Sequence, residues 1–74
     1  MTVNPKDIHR LICLQLGIKS VQDQDHFRDD LGAESLDIQN IIAALEDKYN
    51  IIIDDDEAAN LLTVGACIEL LQKK

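Results

Sequence analysis

Ser35 is the residue of this 74-residue chain whose position most favours chemistry. It follows Gly32, which can adopt backbone conformations closed to other residues, and it stands where an amphipathic helix is predicted to begin. The free N–H groups and partial positive charge of a helix N-terminus suit a phosphate ester, and a hydroxyl there is open to a modifying enzyme. Serine is also a common helix N-cap, and position alone favours that structural role.

The other reactive side chains form no recognisable site. His9 and Cys13 are spaced to share one helix face, but a zinc site needs three or four ligands. The acidic run from Asp54 to Glu57 lacks the glycine and the spacing of a calcium loop. No base–carboxylate pair can be assigned to Ser35 as in a serine hydrolase. We therefore predict no metal site, no catalytic residue and no enzymatic activity.

Size and charge restrict the classes of partner. The net charge of −7 opposes binding to nucleic acid and to anionic membranes, and it favours partners with basic patches. Residues 1–74 are expected to form a single domain with little room for an internal cleft. No apolar segment is long enough for a signal peptide or a membrane span, so we expect no membrane insertion and a cytoplasmic location. Cys13 and Cys67 are then expected to be free thiols.

Cap residues and apolar stripes predict an all-α fold, a small four-helix bundle with three longer helices and a short third one. The aromatic content is only 3%, so the core must be aliphatic. The predicted helices cover residues 5–16, about 35–49, a short segment that starts at one of residues 54–56 and runs through Leu61, and the segment that follows Thr63. Residues 18–34 form a long loop between the first two helices, and we expect Phe27 to hold this loop against the core. Ile51–Ile53 is predicted to be an extended connector.

The segment around Ser35 resembles the phosphopantetheine attachment motif of the acyl carrier protein family. The family commonly has DLGADSLD, and this chain has DDLGAESLD at residues 29–37. The likeness continues in residues 44–49, 55–58 and 63–68, and Phe27 stands where the family often has a phenylalanine. The flanking Ala33 and Leu36 are more typical of acyl carriers than of peptidyl carriers.

The resemblance implies that Ser35 carries 4′-phosphopantetheine, which a phosphopantetheinyl transferase takes from coenzyme A. The thiol of this arm would hold acyl groups as thioesters for acyl-transferring and chain-elongating enzymes of lipid, fatty acid or polyketide synthesis. The carrier would be a monomer. The enzymes would use their own basic patches to dock onto its acidic second helix. The residues implied for partner binding are Glu34, Leu36, Asp37, Asn40, Glu46 and Asp47. The residues implied for an acyl pocket are Ile42, Leu45, Ile53, Ala58, Leu61 and Ile68.

Several positions depart from the family pattern. Glu34 replaces the usual aspartate, which is a better N-cap, so we expect a looser start of the second helix. Asn40 replaces the glutamate of fatty-acid carriers, which indicates either a different partner set or neutral drift on a solvated face.

Three apolar residues stand where the family commonly has polar ones, namely Ile51, Ile52 and Leu62. They could line or cover an acyl cavity, form a partner patch, or add to the core, and we favour the core. Two alternative functions stay open besides the acyl carrier. One is a peptidyl or aminoacyl carrier, and the other is an unmodified helical interaction module.

Overall fold

Four α-helices form the fold, and the computed structural model describes residues 2–74. The helices are α1 (Pro5–Leu16), α2 (Ser35–Tyr49), α3 (Asp55–Ala59) and α4 (Val64–Lys73). The predicted all-α bundle, with three longer helices, a short third one and a long first loop, is confirmed. The third helix ends earlier than Leu61, because Asn60 leaves helical geometry with φ −96° and ψ 0°.

The helix ends are set by residues of the types that favour cap positions. Asn4 Oδ1 accepts a hydrogen bond from Lys6 N at 3.0 Å. Gly17 ends α1 in the left-handed region with φ +69°, which a residue with a side chain adopts only under strain. Thr63 Oγ1 caps α4 by accepting from Ala66 N at 3.1 Å.

The core is aliphatic around one ring, as predicted. Phe27 is only 1% exposed, so the long loop is held against the helices by its aromatic side chain. The apolar stripes of α1, α2 and α4 face the same core, because residues three and four apart share a helix face. The fully buried stripe residues are Ile8, Ile12, Ile41, Leu45, Val64, Cys67 and Leu71.

The long loop is also joined to the start of α4 by backbone hydrogen bonds that the sequence does not predict. Phe27 N donates to Leu62 O at 3.0 Å, and Val64 N donates to Asp25 O at 3.1 Å. Gly65 N donates to Asp23 O at 2.8 Å, and a Cβ at position 65 would lie 3.0 Å from that same oxygen. A glycine therefore favours this close approach of loop and helix, because a side chain would require Asp23 to shift by a few tenths of an ångström.

The extended connector after α2 buries alternate isoleucines. Ile53 is 7% exposed and Ile52 is 81% exposed, because successive side chains of extended backbone point to opposite sides. Leu62 is likewise 53% exposed beside buried Leu61. The expectation that the additional apolar residues enlarge the core is therefore wrong for Ile52 and Leu62. Between residues 2 and 74, no helix combines the length and apolar content needed to cross a bilayer.

Cys67 should be chemically inert in the folded protein. Burial raises the pKa of its thiol from the ordinary 9.0 to about 12, since a buried thiolate loses its hydration. The thiolate is the reactive form, so we expect alkylation of Cys67 in mildly alkaline buffer to be at least about 100-fold slower than after unfolding. Half-buried Cys13 should react readily, and intact mass should show one adduct on the folded chain.

The same raised pKa makes stability depend on alkaline pH. The unfolded chain loses the Cys67 proton near pH 9.0 and the folded chain only near 12, so the free energy of unfolding should fall as pH rises through that window. For the alkylation experiment, a Cys13→Ser variant leaves Cys67 as the single thiol and serves as the control. Rapid alkylation of this folded variant would contradict the prediction.

Candidate functional site

Ser35 is the first residue of α2 and is not its N-cap. Glu34 occupies the cap position in extended geometry, with φ −95° and ψ 173°. The interpretation of Ser35 as a capping serine is therefore wrong by one residue. The Ser35 side chain is exposed, and its hydroxyl remains available for other chemistry.

The start of α2 is fixed mainly by Asp37. Glu34 and Asp37 are arranged as a capping box, but the bond of good geometry is the one in which Asp37 Oδ2 accepts from Glu34 N at 2.9 Å. The other half of the box, from Asp37 N to the Glu34 side chain, does not reach the geometry of a full hydrogen bond. This agrees with the expectation that glutamate fits a cap less well than aspartate.

Arg28 contacts the Ser35 hydroxyl, a contact that no pattern in the sequence predicts. Arg28 Nη2 donates a hydrogen bond to Ser35 Oγ at 2.7 Å. The two residues are seven positions apart, and Arg28 lies in the loop before α2. The signal in the sequence was a single basic residue inside a strongly acidic stretch.

The backbone around Arg28 is held by a tight turn centred on His26. His26 N donates to Asp30 Oδ2 at 2.7 Å, while His26 O accepts from Asp30 N at 2.9 Å. Arg28 N donates to His26 Nδ1 at 3.2 Å, so this ring nitrogen acts as an acceptor and the imidazole proton belongs on Nε2. Gly32 completes the turn with φ +67°, which explains why a glycine precedes the serine.

The residues implied for partner binding divide into two groups. Glu34, Leu36, Asn40 and Asp47 are exposed, and Leu36 keeps 66% of its surface open to solvent. Asp37 and Glu46 are half-buried and are used inside the domain. Asp37 holds the start of α2, and Glu46 Oε2 accepts from Ile53 N at 2.9 Å.

The residues implied for an acyl pocket belong to the core or pack against it. Four of them are buried, namely Leu45, Ile53, Leu61 and Ile68, and two pack against the core as half-buried side chains, namely Ile42 and Ala58. Leu61 also lines a cleft of about 240 Å³ between α3 and α4. The other five do not line that cleft, so the six residues form packed core and share no open cavity there.

Comparison with known proteins gives consistent matches over nearly the whole chain. The family described as "Phosphopantetheine attachment site" matches residues 6–71. The acyl carrier protein of Nitratidesulfovibrio vulgaris is 40% identical, with 100% of this chain and 99% of that protein covered. That of Wolinella succinogenes is 38% identical, with 89% and 90% covered. A solved structure described as an acyl carrier protein from Mycobacterium tuberculosis superposes with a TM-score of 0.89 at 28% identity, covering 93% of this chain and 95% of the other.

Proposed function

Because this chain belongs to the acyl carrier protein family, whose defining feature is a phosphopantetheine attachment site, we propose that Ser35 Oγ is the atom that bears the arm. The protein is an acyl carrier, and 4′-phosphopantetheine is its prosthetic group. The terminal thiol of that group holds the acyl chain as a thioester. The assignment of the arm to Ser35 is supported best by the position of this residue. The Ser35 hydroxyl is exposed at the start of α2 and is not used for capping.

The surroundings of Ser35 fit a phosphodiester. Ser35 Oγ accepts a hydrogen bond from Arg28, so its own proton is free to leave to a base of the transferase when the Oγ–phosphorus bond forms. The nucleotide portion of coenzyme A departs with the broken phosphoanhydride bond. The turn that is centred on His26 and completed by Gly32 leads directly into α2 and presents the serine at the surface, which suits recognition by a modifying enzyme.

The carrier role requires partner enzymes, since a transferase must load the arm and synthesis enzymes must use it. We propose that they contact the exposed residues Glu34, Leu36, Asn40 and Asp47 on α2 and its cap. The acyl chain would shelter among the buried residues of α2, α4 and the segments on either side of α3 by moving them apart. Monomeric state, cytoplasmic location and absence of catalysis remain predictions.

Loading by a transferase tests the function directly. We expect the purified chain, incubated with coenzyme A and a broad-specificity phosphopantetheinyl transferase, to gain one phosphopantetheine by intact mass. The control omits coenzyme A. Failure to form an adduct with any of several transferases would favour the unmodified interaction module instead.

Asn40→Glu should improve use of this carrier by general fatty-acid enzymes. Asn40 is exposed on α2, and a carboxylate there would restore negative charge to a neutral part of the helix. An exposed charge pair contributes up to about 1 kcal/mol, so we expect kcat/KM to rise by roughly twofold to fivefold at low salt. Gln15→Glu on α1 adds the same charge elsewhere and is the matched control. Equal gains from both variants, or none from Asn40→Glu, would contradict docking at this face.

A further inference from the structure

We propose that Arg28 binds the phosphate of the prosthetic arm and orients it at the start of α2. The inference rests on the proposed attachment at Ser35. The guanidinium now donates to Ser35 Oγ. After modification phosphorus is bonded directly to that atom, and its non-bridging oxygens lie two covalent bonds away. Arg28 would then act as a positioning residue that sets the direction in which the arm extends from the protein surface.

The distance between Arg28 and Ser35 supports this role. Nη2 lies 2.7 Å from Oγ, which places the guanidinium within reach of any phosphate esterified there. A guanidinium has five N–H donors in a planar fork, and one bond to Oγ leaves the others free. This fork matches phosphate oxygens in pairs, which a lysine ammonium cannot do.

Charge also favours the pairing. Between Lys19 and Lys48 the chain contains eight carboxylates and Arg28 as its only lysine or arginine. A phosphodiester adds one negative charge to this region, beside Glu34 and Asp37, and Arg28 is the cation placed to offset it. Among residues 2–74, no carboxylate lies within 4.0 Å of the Arg28 guanidinium, so its charge is not already neutralised by an ion pair.

The backbone of Arg28 is held in place independently of the serine. Arg28 N donates to His26 Nδ1, and the neighbouring Phe27 is buried in the core with its carbonyl accepting from Ala33 N at 2.8 Å. The side chain therefore starts from a fixed point on the same turn that leads into α2. A preorganised donor loses less conformational freedom on binding than one on a mobile loop.

The test compares apo and fully loaded protein for the wild type and two variants. Arg28→Gln removes the charge, and Arg28→Lys keeps the charge but loses the fork. Arg10→Gln is the matched control, because Arg10 is an exposed arginine remote from Ser35. It lines a cleft together with Lys48, and Lys48 lies about 20 Å along α2 from Ser35. Loading is driven to completion with excess transferase and verified by intact mass. Melting temperature and the ³¹P resonance of the diester are then measured.

We expect the change in melting temperature on loading to be more favourable in the wild type than in Arg28→Gln by about 2–5 °C at low salt. The difference should vanish near about 0.5 M salt, because exposed charges are then screened. The ³¹P resonance should shift in Arg28→Gln, shift less in Arg28→Lys, and keep its wild-type position in Arg10→Gln. A purely structural role of Arg28 would affect apo and loaded protein alike.

The outcomes separate this inference from the proposed function. If the wild type takes up the arm but Arg28→Gln matches it in both measurements, Arg28 is an ordinary surface residue and only the inference fails. If the wild type takes up no arm, the attachment site and the role of Arg28 fail together.

Discussion

Replacing Ser35 with alanine is expected to abolish the coenzyme A-dependent mass increase completely. Alanine has no oxygen to form the ester bond, and no neighbouring residue offers a hydroxyl at the same place. Intact mass after exhaustive treatment with transferase is the measurement. Ser20→Ala is the matched control, because Ser20 is the only other serine and is also exposed. This control should load as fully as the wild type.

The stability of Ser35→Ala adds a second readout. Replacing a capping serine with alanine lowers the free energy of unfolding by about 0.5–2 kcal/mol. The same replacement at an exposed position inside a helix changes it by only about 0.5 kcal/mol. Ser35 lies after the cap, so we expect the free energy of unfolding to stay nearly constant. Loss of loading from a stably folded variant then reports on chemistry alone. An adduct that persists in Ser35→Ala would place the attachment elsewhere.

The difference between Ser35 and Glu34 shows what a sequence pattern can predict at a helix start. The periodicity places the beginning of α2 at the right residue, because apolar spacing fixes which positions face the core. It does not decide which residue has the extended geometry of the cap. Residue preference favours serine over glutamate there, whereas the hydrogen bond from Glu34 N to Asp37 Oδ2 supports Glu34 as the cap.

Arg28 shows why part of the site could not be predicted. Its bond to Ser35 depends on a turn in which a histidine ring accepts backbone N–H groups, and no period or cap rule describes that turn. The bonds between the loop and α4 are hidden for the same reason, since they join segments distant in sequence. Phe27 was predictable because a lone aromatic residue in a polar loop has the core as its most favourable location.

Phe27→Ala should cause a large loss of stability. Phe27 is the one aromatic side chain fully buried in the core, and truncating a buried phenylalanine costs about 3–5 kcal/mol. A domain of this size has a total stability of about 4–11 kcal/mol, so much of it would be lost. We expect the melting temperature to fall by about 15 °C or more, measured by circular dichroism.

The position of Phe27 makes this loss more than a change in core volume. Its backbone pairs with Leu62 and Ala33, so the cavity would lie under the turn that carries Arg28 and leads to Ser35. The variant should therefore also load more slowly wherever it remains folded. Leu14→Ala is the control, because Leu14 is 76% exposed and its truncation should change stability by about 0.5 kcal/mol or less. If Phe27→Ala were no more destabilising than Leu14→Ala, the loop would be held by its hydrogen bonds to α4 rather than by the ring.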